Sequence, residues 1–401
     1  MSISTSGMTA AQNLLEVASQ NLANSETDGY KSFRAVLGDV YAESSGSSVD
    51  MAGVTLLASQ QQFTQGQMVQ TGNAFDLGID GKGFFVLNKN GTQVYSRAGA
   101  FEQDANYYLV NPSGLQLKGY AADATGVIDT TRLVELQISQ ADRPGVATTS
   151  VQAAMNLNSA SAVIDRETVT LNPAQSNTFS WYGAVNIFDS LGGQHTLGSY
   201  FTKTGTNQWL TQFQLDDQML EQTSEFTFTN AGVLSNPGAA MFTLTPSALT
   251  NGAVLQSIAM DFTGMSQFAV DSTFRPVSVN GQSAGSLNQV TVSDQGFLQG
   301  SYSNGERYIL GQVAVATFPS ENGLVVDGNN LWSSSISSGS PVLSVSGSNG
   351  AGVVNSGFLE QSNVELSDAL SEVISAQRFF QVNAKAFQAE DVLSQTLINL
   401  G

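Results

Sequence analysis

The stretch SNVELSDALSEVISAQRFFQVNAKAF, Ser362 to Phe387, decides the architecture. Leu366, Leu370, Val373, Gln377, Phe380, Ala384 and Phe387 step by 4, 3, 4, 3, 4 and 3 residues, which puts them on one seam of a helix. Ser362-Asn363-Val364-Glu365 has the form of a capping box, so this helix is expected to begin there. Gln377 is the polar exception, and either fixes the register of a paired helix or faces solvent. Further on, Ala389, Leu393, Leu397 and Leu400 start a new register, as a coiled-coil stutter does.

The other end mirrors this pattern. Met8, Ala11, Leu15, Ala18 and Leu22 step by 3, 4, 3 and 4, the mark of an amphipathic helix. It should stop near Asn24, where Asn24, Ser25, Thr27, Asp28 and Gly29 gather turn formers and Asp28-Gly29 supplies the positive φ of a reversal. The rod so formed is about 30 Å long. Periodicity leaves two uses open for the pair: a helical hairpin inside one subunit, or packing between copies.

Between the helices the texture changes. Nine Asn-Gly or Asp-Gly pairs occur in the chain, eight of them from Asp80 to Gly350, and such pairs favour hairpin turns. Arg307 to Phe318, Gly83 to Leu87 and Glu225 to Thr229 are rich in β formers, so the centre reads as antiparallel β. Glu43 to Gly53 is Ser and Gly rich and reads as an extended or mobile connector, and Ser333 to Gly352 is similarly polar.

The 401 residues carry 14 Lys plus Arg against 33 Asp plus Glu, a formal charge of -19, the wrong sign for neutralising phosphates. Nucleic acid and anionic membranes are therefore poor partners, and no apolar run is long enough to insert in a membrane. With 0 Cys and 1 His, disulfides, thiolate metal sites, thiol nucleophiles and multi-His centres are excluded or nearly so. No cofactor and no metal site is expected. The first basic residue is Lys31, so the start of the chain lacks the pattern of a cleaved secretory signal, and export is expected to use another route.

The motifs that resemble catalytic ones reduce to turns. Gly281-Gln282-Ser283-Ala284-Gly285 has the spacing of a hydrolase elbow, but a strand-like sequence follows it and the sole His195 lies upstream. Gly81-Lys82-Gly83 lacks the spacing of a phosphate loop, and Asn90-Gly91-Thr92, formally a glycosylation sequon, sits at a hairpin turn. His195 is expected to be a surface or hydrogen-bonded structural residue. No carboxylate pair is singled out, so no catalytic residue is assigned and an enzyme is not expected.

Ser6-Gly7-Met8-Thr9-Ala10-Ala11-Gln12, Gln20-Asn21-Leu22-Ala23-Asn24 and Thr27-Asp28-Gly29-Tyr30-Lys31 closely resemble the N-terminal signature of the bacterial flagellar rod and hook family. Ser362 to Leu366, Ala376-Gln377-Arg378 and Asn383-Ala384-Lys385 resemble its C-terminal signature. Phe188 to Gly192 with His195, Phe262 to Phe268, and Tyr302 to Gln312 are similar to the hook branch.

The resemblance implies a multi-domain fold. Residues 1–24 and 363–401 would be terminal helices of a coiled-coil-like inner domain, and 25–70 with 353–362 connecting segments. Residues 71–144 with 285–352 would form one mainly antiparallel β domain, and 145–284 an inserted outer one. It implies a helical homopolymer, a curved tube outside the cell acting as a universal joint between rod and filament. The implied partners are copies of the chain, the distal rod protein, the hook cap, the hook–filament junction protein and the export apparatus. The seam residues, together with Asn21, Asn24, Thr27, Gly29, Tyr30, Leu393 and Leu397, become candidates for subunit interfaces. The terminal helices are expected to be disordered in the monomer and to fold on assembly. A distal rod subunit shares the terminal signatures and is the alternative.

Overall fold

The computed structural model describes residues 3–42, 50–236, 241–244 and 252–400. The chain is mainly β with a helix at each end, α1 at Ile3–Ala23 and α2 at Leu366–Leu400. It divides into two compact units, the first holding Met1–Ser139, Gln289–Ser301 and Arg307–Gly401, the second Gln140–Asn288 and Tyr302–Glu306.

In the first unit α1 leads into a long antiparallel hairpin, β1 at Phe33–Ala42 and β2 at Asp50–Gln61, bulged at Val36/Leu37 and Val40/Tyr41. Part of the polar stretch read as a connector is therefore strand, because Met51 and Gly53 pair with Tyr41 and Val40; residues 43–49 lie outside the described ones. The outgoing and returning chain then pair with each other. Met68–Gln70 runs antiparallel to Phe358–Glu360, and Leu77–Asp80 to Val353–Ser356.

The main sheet is ordered Leu287–Val292, Phe297–Tyr302, Arg307–Thr317, Gln116–Ala122, Phe84–Lys89, Thr92–Ser96, Leu331–Ser333 and Val325–Gly328. Asn90 and Gly91 turn its central hairpin with φ of 53° and 88°, the two positive values that a tight two-residue turn requires. Polar Ser333 to Gly352 is not all loop, since Val342–Val345 pairs with the end of Arg307–Thr317. Phe84, Val86, Tyr95, Ala316, Phe318 and Trp332 form the core, with ring pairs such as Phe84–Trp332 at 5.4 Å. Trp332 Nε1 donates to Gln61 Oε1 at 2.8 Å, tying the base of the hairpin to this core.

The second unit packs two sheets. One is a meander of Trp181–Phe188, Gln194–Gly205, Gln208–Leu215, Gln218–Phe228 and Leu234–Asn236. The other centres on Ser150–Asn158, which pairs antiparallel with Thr273–Val279 but parallel with Ile258–Asp261 and Ser266–Phe268. These two parallel pairings stand within an arrangement that is otherwise mainly antiparallel, as expected. Along Gln208–Leu215 buried residues alternate with more exposed ones, as a strand facing a core on one side must. Trp209, Phe213 and Phe226 meet Leu157, Met260 and Phe262 from the facing sheet.

His195 in this unit is hydrogen-bonded, with Nδ1 2.8 Å from Asp216 Oδ2 and Nε2 3.2 Å from Asp189 Oδ2. Only an imidazolium donates at both nitrogens. Burial lowers the His195 pKa, but the hydrogen bonds and charges of Asp216 and Asp189 outweigh it, and the pKa rises above 6.5. Burial raises the Asp216 pKa, while His195 and the Thr196 N–H bring it net below 3.8. The His195 contribution is thus complete below 6.5 and lost as pH climbs through the raised folded value. The Asp216 contribution is complete above 3.8 and lost as pH falls through the lowered one. His195→Gln is expected to flatten the alkaline limb of a melting-temperature profile and to cost the second unit about 4 °C near pH 6. An unchanged profile would show that the two carboxylates do not hold the ring.

Candidate assembly site

The two helices run antiparallel against each other. Ser4 Oγ donates to Glu390 Oε1 at 3.0 Å near one end, and Ala18 shares a groove with Ala376 nearer the other. The buried face of α1 is small: Ser4, Gly7, Ala10, Ala11 and Ala18, with Asn21 at its foot. Gly7 lies so close to the Asn383 amide that a Cβ would collide with it. On α2 only Ala369 and Ala376 are fully buried among the described side chains.

The seam read from the large apolar residues is only partly this face. Ala11 and Ala18 are buried, and Met8, Leu15, Leu22, Val373, Phe380 and Ala384 are half-buried. Leu366, Leu370, Phe387 and Leu393 are exposed, as is Gln377, and the Leu397 side chain lies outside the described ones. The reason is length: α1 has 21 residues and α2 has 35, so one partner covers one side of part of a longer rod. The expected capping box does not form either. The helix begins at Leu366, too late for Ser362 to act as its N-cap; Ser362 Oγ instead accepts the Val364 N–H at 3.2 Å.

Beneath the helices the two ends of the chain are locked by polar groups. Lys31 Nζ donates to Glu360 Oε1 and to the Thr64 carbonyl, each at 2.7 Å, and the Lys31 and Glu360 side chains are wholly shielded from solvent. The Gly66 N–H gives Glu360 Oε1 another donor at 2.9 Å. Arg97 Nε stands 3.5 Å from Glu360 Oε2, which takes no hydrogen bond, while the guanidinium donates to the Ile79 and Gly81 carbonyls. Burial lowers the pKa of both Lys31 and Arg97, and the Glu360 charge opposes that shift.

Asn363 makes the second lock: its Oδ1 accepts the Ser32 N–H at 2.7 Å and its Nδ2 donates to the Gln62 carbonyl at 2.8 Å. Asn21 clasps the backbone of Phe33 at both N–H and carbonyl, and its Oδ1 accepts the Tyr30 hydroxyl. Burial pushes the Tyr30 pKa up to about 12. Asn24 and Thr27 close the helix stop on each other, and Gly29, at φ 69°, donates its N–H to the Glu360 carbonyl at 2.7 Å. Asn21, Gly29 and Tyr30 are thus engaged within the subunit. Lys31, Arg97, Glu360 and Asn363 were not singled out as site residues by the sequence; for Arg97 and Glu360 a lone charge in an otherwise uncharged stretch was the available signal.

The terminal segments match the flagella basal body rod protein model over residues 1–31 and the flagellar basal body rod FlgEFG C-terminal model over 355–400. Between them lie matches to the flagellar hook protein FlgE/F/G D1 domain over 78–160 and the flagellar basal body protein FlaE D2 domain over 156–282. The chain is 35% identical over 403 residues to the flagellar hook protein FlgE of Escherichia coli (strain K12), with 98% of each chain covered. It belongs to the flagellar hook protein family. The hook protein of Borreliella burgdorferi is 31% identical over 437 residues, again covering 98% of both. A crystal structure of the Helicobacter pylori flagellar hook protein FlgE2 shares the fold, with a TM-score of 0.55 at 15% identity, covering 73% of this chain and 100% of that one. In this hook-family chain, Lys31 ends the N-terminal match and Glu360 lies in the C-terminal one, so the buried ion pair joins the two rod-type segments.

Proposed function

We propose that this chain is a structural subunit of the flagellar hook, polymerising outside the cell into a curved, flexible tube that carries torque from rod to filament. The observation that supports polymerisation is the state of α2. Leu366, Leu370, Ile374, Val382, Val392 and Leu393 are all exposed along one helix, in a segment that matches the flagellar basal body rod C-terminal model. Such a helix is marginal alone and gains its stability by burying apolar side chains. A head-to-tail contact that does not close builds an open helical assembly, and the helix pair is suited to its inner wall as a coiled-coil-like layer.

In this reading residues 1–24 and 363–401 form the inner layer, 25–70 and 353–362 carry load, and the domain at 145–284 supplies outer contacts that exchange as the tube turns. Met8, Leu15, Leu22, Leu366, Leu370, Phe387, Leu393 and Leu397 are the interface residues of this reading. Its partners are further copies, with the distal rod protein, hook cap, junction protein and export apparatus at the ends of the assembly.

Electron microscopy of concentrated protein tests this. The full chain is expected to give curved tubes and a chain lacking residues 363–401 none. Straight tubes would point to a rod subunit, and persistent monomers to a helix pair that serves only its own subunit.

A further inference from the structure

We propose, resting on the reading that copies of this chain polymerise, that neighbouring copies pack α2 against α2 in parallel with a stagger of thirteen residues. Arg378 and Lys385 of one copy then meet Glu365 and Glu372 of the next.

Only two cations lie on the terminal helices, Arg378 and Lys385, and α1 has none. They are seven residues apart, exposed, and without an ion pair or side-chain hydrogen bond among the described residues. No carboxylate lies three or four residues from either of them, so neither has the usual partner along its own helix. Two turns towards the N-terminus Glu365, Asp368 and Glu372 follow at intervals of three and four, which sets like charges side by side and disfavours the isolated helix. The first turn softens this through the helix dipole, but Glu372 lies beyond its reach. Glu365 and Glu372 are exposed and likewise unpaired among the described residues.

The spacings fit each other. Of the carboxylates on α2 and at its start, Glu365 and Glu372 are the pair separated by seven residues, the separation of Arg378 and Lys385. Both cross pairs therefore need one offset, thirteen residues or about 20 Å along the axis. The stripes lie roughly 140° apart round the helix, so one helix can present its basic stripe to one neighbour and its acidic stripe to the other. A contact between two different faces is heterologous and repeats without closing. Repetition by rotation about and translation along a common axis also keeps all copies of α2 at the same polarity.

The surroundings of the two stripes are complementary as well. Glu365, Asp368 and Glu372 border a groove of about 770 Å³ whose walls include Leu14, Val17, Ala369 and Phe379. Arg34 stands in the same groove, leaving its charge net negative. Between Arg378 and Lys385 lies Val382, 64% exposed, and the thirteen-residue offset brings it level with Ala369 on the groove wall. The occupant the groove fits is a basic, apolar-centred helix face, and a second copy carries one.

Three variants and one mixture test this. E365K/E372K and R378E/K385E are each expected to raise the critical concentration for polymer formation by about tenfold or more, measured by sedimentation at low salt. The fourfold variant, and an equimolar mixture of the two double variants, are expected to polymerise within about threefold of the unaltered chain. Rescue by mixing excludes misfolding as the cause of failure, since neither variant alone would assemble. Double variants that polymerise like the unaltered chain would overturn the pairing and leave the hook reading standing. So would failure of both the mixture and the fourfold variant. Failure of the unaltered chain to polymerise under any salt would instead overturn the hook reading, and the pairing with it.

Discussion

Replacing Glu360 with glutamine is expected to lower the melting temperature of the first unit by about 10 °C and to leave the second unit's transition in place. The glutamine preserves the shape and an oxygen for Lys31, so little packing is lost. What is lost is the one negative charge between two buried cations, Lys31 with its side chain at 0% exposure and Arg97 at 4%. Breaking a buried pair by removing one partner costs about 3–5 kcal/mol, because the survivor remains charged in a medium that solvates it poorly. Calorimetry that separates the two transitions reads the effect.

The pH dependence identifies the cause. Burial holds the Lys31 pKa below 10.5 and Glu360 pulls it upward, so glutamine lets it fall further. A lowered folded-state pKa means the penalty is full below that pKa and is relieved as pH rises towards 10.5. The gap between variant and parent should therefore narrow in alkali. A gap constant with pH would mean that packing, not charge, was lost, and no gap would mean that the junction is not an electrostatic lock.

The sequence makes the ends of this molecule legible and its joints opaque, for physical reasons. Helical periodicity locates α1 and α2, since a repeat near 3.6 residues is a local property of the chain. It misjudges which face is covered, because the close approach at Gly7, Ala10, Ala18 and Ala376 uses small side chains that carry little hydrophobic weight. Asn-Gly pairs announce turns such as Asn90-Gly91 because the positive φ values are local as well. Alternation in a strand gives the buried face but not the direction of its neighbour, so the parallel pairing of Ser150–Asn158 is invisible beforehand. Lys31 and Glu360 are separated by 329 positions, and no local signal in one chain joins them. The terminal signatures, by contrast, mark the family at once, and they coincide with the segments that build the helix pair and its junction.

Gly29→Val is expected to cost the first unit about 2–5 kcal/mol, the sum of two separable penalties. The first is conformational: Gly29 sits at φ 69°, where a β-branched side chain is strained by about 1–2 kcal/mol or more. The second is steric. A Cβ at this position would stand 2.6 Å from the Arg97 carbonyl carbon and closer still to the Ala98 nitrogen, and backbone does not rotate out of the way as a side chain does. Forcing that separation costs a further 1–3 kcal/mol or so and pushes the turn off the Glu360 carbonyl, to which Gly29 donates at 2.7 Å. Gly91 provides the reference, since its φ is also positive, at 88°, but nothing lies within 4 Å of a Cβ there. Gly91→Val should therefore show the conformational penalty alone, and the difference between the two variants in denaturant midpoint isolates the close approach at Ala98. Because that approach holds the foot of α1 against the chain that follows strand Thr92–Ser96, Gly29→Val should also loosen α1, detected in the assembled polymer as faster amide exchange over Ala10 to Ala23. Equal losses in the two valine variants would show that the turn stands clear of Ala98 and that Gly29 acts only as a helix stop.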